Sequence, residues 1–260
     1  MRANRYVPLI GGFALLFGLG LALGDPQRWI IALVCGVMVA SSTCVALVWG
    51  SAPPRWPVFA TSVLCVLTGW SLLIYLSGDL TRQLLVLAVV GLLTLYWEST
   101  RRVRYDVATV HPEEIENVTL LVHLVTVWFA SSFFYRLLLD TSVLPSVLSA
   151  HVYTLAVTAM LSLVVVLDGW AVWLSRYEPY RRFSLVTVLA LLTTELFWTM
   201  NFLPLAPDVK AFVVGFTYYI VADIGRAHFD KMLNAKVLRH YLYFGIPLFA
   251  VVLATAKWLV

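Results

Sequence analysis

Six side chains between positions 123 and 223 could do chemistry, and each lies inside or at the edge of an apolar run. They are His123, His151, Asp168, Glu195, Asn201 and Asp223. An ionisable group in a hydrocarbon setting is expensive, so each is a functional candidate. Glu195 is the sharpest. It falls about twelve residues into its run, in Thr193-Thr194-Glu195-Leu-Phe-Trp-Thr-Met-Asn201. A carboxylate near mid-span must be protonated, paired or wet. In the functional reading Glu195 carries a proton or binds a cation, with Thr194 and Asn201 as co-ligands and His123 nearby. In the structural reading it is a neutral acid hydrogen-bonded to a neighbouring helix.

The other candidates are weaker. His123 sits about two turns inside its helix, and Glu116, seven residues earlier, shares roughly its face. His151 and Asp168 are separated by about 25 Å along one helix, so they do not share a site. Asp168 and Asp223 are placed to pair with Arg176, Arg181, Arg182 and Arg226. A satisfied structural role is the more common fate of such groups.

Several chemistries have no residues to carry them. No lysine lies mid-span for a Schiff base, because Lys210 and Lys257 fall at helix ends. The H-E-x-x-H metal motif, glycine-rich phosphate loops and the G-x-S-x-G elbow are absent. Glu113-Glu114 superficially resembles the paired glutamates of membrane-embedded prenyl-type proteases. The arginine expected four residues after the second glutamate is Val118, and that family's histidine motifs are missing. Cys35, Cys44 and Cys65 lie in apolar runs without C-x-x-C spacing and read as packing residues. Neither a catalytic set, a metal site nor a cofactor is expected.

The elements that must position these residues are membrane spans. Apolar residues make up 61% of the chain and charged residues 12%. An ordinary soluble domain has roughly 45–50% and about 25%. The runs approach the ~20 residues needed to cross a ~30 Å hydrocarbon core. Nine stand out, at 7–24, 29–49, 57–76, 83–98, 115–138, 145–174, 183–203, 209–225 and 241–259. Proline- and glycine-containing breakers lie between them. They lack barrel alternation, so they are helices. The expected fold is an all-α, polytopic bundle of about nine transmembrane helices, one integral membrane domain over 1–260.

Basic residues orient it. With the N-terminus inside, 13 of the 18 fall in inside segments, including Arg101, Arg102, Arg104, Arg176, Arg181 and Arg182. The outside segments hold one each: Arg28, Arg82, Arg136, Lys210 and Lys257. That alternation is positive-inside sorting, and it puts the C-terminus outside. The net charge of +4 is accounted for in the same way, without nucleic acid. Ala22-Leu23-Gly24 has the shape of a signal-peptidase site. The run before it is long enough to span and more spans follow directly, which favours a retained first helix.

Two connections carry local signals. His111-Pro112-Glu113-Glu114-Ile115-Glu116 reads as a helix start, with proline at the first position and acids in the first turns. In Ile224–Tyr243, Phe229, Leu233, Val237 and Tyr241 form one i,i+4 row. Arg226, Lys231, Lys236 and Arg239 fall largely elsewhere. The spacing predicts an amphipathic basic helix for lipid headgroups, or a solvated connector. Tryptophans at the run ends (Trp29, Trp49, Trp56, Trp97, Trp173 and Trp258) suit interfacial anchoring.

The last third, Glu195-Leu-Phe-Trp198 and Asn201-Phe-Leu-Pro204 followed by Tyr218-Tyr219 and the basic segment, resembles bacterial multi-spanning membrane proteins of unknown function. The resemblance covers about 50 residues. It implies a bacterial-type plasma membrane and brings no activity with it. Three functions are then open. The first expectation is a non-enzymatic membrane component packing with lipid or partner membrane proteins. The second is a small-solute or proton-coupled transporter centred on Glu195, though no internal repeat supports one. The third is a lipid-modifying enzyme, for which the acids and histidines are scattered in depth.

Overall fold

The computed structural model describes residues 56–73, 75–76, 78–105, 112–141, 149–174, 179–229 and 231–255. The runs at 7–24 and 29–49 lie outside the described residues. The described chain is all-helical, with no β-strand. Among the described residues there are seven helices, one for each of the other seven expected runs: α1 (Trp56–Leu73), α2 (Asp79–Tyr105), α3 (Pro112–Leu139), α4 (Val152–Leu174), α5 (Pro179–Met200), α6 (Pro207–Phe229) and α7 (Ala235–Thr255). Four contain stretches long and apolar enough to cross a membrane: Asp79–Tyr96, Glu116–Leu139, Val152–Gly169 and Phe183–Met200.

Helix starts follow local chemistry. α3, α5 and α6 each open on a proline, whose fixed φ suits the first turn and whose missing N–H is not needed there. Asp79 and Asp208 occupy the first turns of α2 and α6, where a negative charge meets the positive end of the helix dipole. Inside the apolar helices, the hydroxyls of Thr68, Ser71, Thr94, Thr126 and Ser162 donate back to carbonyls of the preceding turn. This satisfies hydroxyls that have no other partner to find in hydrocarbon.

The helices pack through stripes at helical spacing. On α2, Leu85, Val89, Leu93 and Tyr96 are buried, while Leu80, Leu84, Leu87 and Leu95 face outward. On α4, Val152, Ala156, Met160, Leu163 and Leu167 are buried and Leu155, Val165 and Val166 are exposed. On α5 the buried face is Leu189, Ala190, Thr193, Thr194, Phe197 and Met200. Both faces of each helix are apolar. The side turned away from the protein is therefore suited to lipid rather than water.

The chain forms two compact units, Met1–Thr126 and Val127–Val260. In the first, α1 packs on α2. α1 also presents Thr61 to His123, about three turns into α3, with 3.2 Å between Oγ1 and Nε2. In the second, α5 packs between α4 and α6, and α7 lies against α6. Gly225 of α6 meets the Leu185 side chain so closely that an added Cβ would fall 2.5 Å from its Cδ1.

The segment Ile224–Tyr243 departs from expectation. It is not one amphipathic helix: α6 ends at Phe229 and α7 begins at Ala235. The Met232 amide donates to the Ala227 carbonyl and the Lys231 amide to that of His228. Lys231 has φ 58°. This is a Schellman termination, which satisfies the final carbonyls of a helix through a left-handed residue. Phe229 and Leu233 therefore do not continue into a row with Val237 and Tyr241. Periodicity saw four apolar residues at the right spacing and missed a stop that no glycine advertises. A left-handed conformation costs a side-chain-bearing residue about 1–2 kcal/mol. Lys231→Gly is accordingly expected to raise stability by roughly 1 kcal/mol, seen as a higher thermal midpoint in detergent; an unchanged or lowered midpoint would contradict the assignment of this turn.

Candidate functional site

Within the second unit the sequence candidates do not converge. Glu195 lies on the outward stripe of α5, among exposed Leu191, Leu192 and Trp198. It has no hydrogen-bonding or ion-pairing partner among the described residues. Five residues, about 7.5 Å, separate it from the end of α5. Thr194 is on the opposite, buried face, and its hydroxyl has no partner among the described residues. Asn201 turns to Tyr153, donating from Nδ2 to the phenol oxygen at 3.1 Å. His123 belongs to the first unit and is buried against Thr61. Its helix-mate Glu116 is exposed. His151 is exposed just before α4, where its carbonyl accepts the Leu155 amide.

Glu195→Gln is therefore expected to leave folding intact. Its effect on the thermal midpoint should correspond to less than about 0.5 kcal/mol, as for surface positions without a partner. A larger loss would show that the carboxylate has an engagement that the described residues lack.

Polar groups gather instead at the two ends of the second unit. At the end where α5 passes into α6, four helices meet. The carbonyls in the last turn of α5 would be orphaned by helix geometry. Three of them, those of Trp198, Thr199 and Met200, accept amides of the following turn. The Phe197 carbonyl accepts the Tyr135 hydroxyl of α3 at 2.8 Å. The Asn201 carbonyl accepts the Lys210 ammonium of α6 at 3.2 Å. A cation there also suits the negative end of the α5 dipole. Tyr135 stacks on Phe197 with ring centroids 4.7 Å apart, and Lys210 lies over the Tyr135 ring at 5.7 Å. Asp208, in the first turn of α6, accepts Ser132 at 2.6 Å and pairs with Arg136 at 2.6 Å. Sequence reasoning counted Arg136 and Lys210 only as lone charges for orientation, and missed Tyr135 altogether.

The opposite end joins α4, α6 and α7. Asp168, 3% exposed, accepts the Tyr218 hydroxyl at 2.6 Å. Asp223 pairs with Arg226 one turn along α6 and accepts the Tyr241 hydroxyl of α7. The expected Asp223–Arg226 pair is thus present, and the described partner of Asp168 is the Tyr218 phenol. The side chains of Arg176, Arg181 and Arg182 lie outside the described residues.

This chain matches no family model, no curated protein and no solved structure. Its own geometry is therefore the ground for a function. Among the described residues no three His, Cys, Asp or Glu side chains gather as a metal site requires. The polar clusters tie helix ends together. Of the residues named for headgroup contact, Lys231, Lys236 and Arg239 are exposed around the α6–α7 turn, whereas Arg226 is engaged by Asp223.

Proposed function

We propose that this protein is a multi-pass, non-enzymatic component of a bacterial-type plasma membrane, packing with lipid and with partner membrane proteins. Its nine spans run from an inside N-terminus to an outside C-terminus. The observation that carries this reading is the dispersal of the ionisable groups. Five of those described in the second unit are spent on helix connections, through Asp168–Tyr218, Arg136–Asp208 and Asp223 with Arg226 and Tyr241. Glu195 stands alone on an outward apolar stripe. A transport or catalytic site needs several such groups facing one space.

Four apolar helices fit a membrane setting. The alternation of basic residues supports the orientation. Exposed Lys231, Lys236 and Arg239 support contact with anionic headgroups on the inside. Topology is tested by impermeant labelling of tags at both ends of the chain in intact cells: an odd number of spans places them on opposite sides, and same-side tags overturn the arrangement. The functional part is tested in reconstituted vesicles under a pH gradient. Flux no greater than in empty vesicles is expected. Proton flux that Glu195→Gln abolishes would replace this reading with a transporter centred on Glu195.

A further inference from the structure

Asp168 is buried among helices of an apolar protein, and its two oxygens have different fates. Oδ1 accepts the Tyr218 hydroxyl at 2.6 Å. Oδ2 is buried and has no hydrogen-bond partner among the described residues. Tyr218 is itself only 1% exposed, so the pair is closed to solvent from both helices. α6 contributes no charge to the contact, because the Asp223 carboxylate is already held by Arg226 and Tyr241. α5, which packs on α4, has Glu195 as its described charged side chain, and that group faces outward. Near Asp168, α4 itself is apolar, with Val164, Leu167 and Gly169 as neighbours.

A full negative charge on this carboxyl would leave one oxygen with neither a donor nor water. An isolated buried carboxylate is far more costly than a buried hydroxyl that lacks an acceptor. We propose that Asp168 binds a proton on Oδ2, forming a closed carboxylic acid–phenol pair with Tyr218 that joins α4 to α6. The ligand is the proton itself, taken from water and held as an O–H bond. No other atom is transferred. The arrangement makes Asp168, rather than Glu195, the internal proton-binding group of the second unit. It rests on the reading of the chain as membrane-embedded, which fractionation checks separately.

Infrared spectroscopy of the full-length protein in lipid vesicles at neutral pH provides the test. A protonated-carboxyl C=O stretch is expected in the wild type, and it should disappear in Asp168→Asn. In Tyr218→Phe the stretch should move to higher frequency, since the carbonyl loses the hydrogen bond it accepts. That shift also serves if the asparagine variant fails to fold, and a purely structural role would not produce it. Absence of the band from wild-type protein, with membrane insertion intact, overturns the proposal in favour of an arginine or a metal cation on Oδ2. A band that persists in Asp168→Asn, or that Tyr218→Phe leaves in place, belongs to another acid and overturns it equally.

Discussion

Replacing Tyr135 with alanine should destabilise the second unit by about 3–5 kcal/mol, the range for truncating a large buried aromatic. The side chain is 2% exposed and makes three kinds of contact at once. Its ring stacks on Phe197 and underlies Lys210, and its hydroxyl satisfies the Phe197 carbonyl. Alanine removes the packing and leaves both a carbonyl and an ammonium poorly served. Tyr135→Phe separates these contributions, since it keeps the ring and removes only the hydrogen bond. A loss of about 1 kcal/mol is expected there. Thermal unfolding in detergent, followed by helical circular dichroism, measures both. If alanine and phenylalanine cost the same, the ring contacts contribute nothing.

The second large effect is expected at Asp223. Its side chain is 15% exposed and that of its partner Arg226 is 27% exposed, so solvent screens the pair only partly. Asp223→Ala removes the acceptor for both Arg226 and Tyr241, and a loss of about 2–3 kcal/mol follows from hydrogen bonds to a charged group. The consequence is local. Tyr241 belongs to α7, which otherwise lies against α6 through contacts such as Gly245 near Ile220. Hydrogen exchange should therefore quicken in α7 while α4 keeps its protection. Asp223→Asn retains an acceptor for Tyr241 and should fall between the two. Uniform loss of protection across α4 to α7 would show that Asp223 supports the whole unit instead.

The sequence allowed the helices to be read but not their partners. Each apolar run from 57 onward coincides with one described helix, because a span is written in consecutive residues and needs no tertiary information. The proline start at Pro112 was legible for the same reason, whereas Pro179 and Pro207, which also open helices, read only as breaks between runs. What failed depended on the third dimension. Glu195 looked central because its run is long, yet residue spacing alone does not say which stripe of α5 turns inward. Asn201 and Thr194 share its segment but point elsewhere. Tyr135 and Lys210, separated by 75 positions, matter only because the last turn of α5 leaves carbonyls that other helices complete. Lys231 was read as a surface charge, and its left-handed backbone has no signature in a residue that is not glycine.

The order in which the helices meet has a consequence for how the second unit is made. α4, α5 and α6 each pack on the next in the chain, so a helix finds its neighbour soon after both have been synthesised. The Arg136–Asp208 pair is different: it links the end of α3 to the start of α6 across 72 positions. Arg136 must therefore wait through the synthesis of two intervening helices before its partner exists. That ion pair, with Ser132 beside it, is one of the contacts that must wait for a non-neighbouring helix, as Tyr135–Phe197 does between α3 and α5 and Asp168–Tyr218 between α4 and α6.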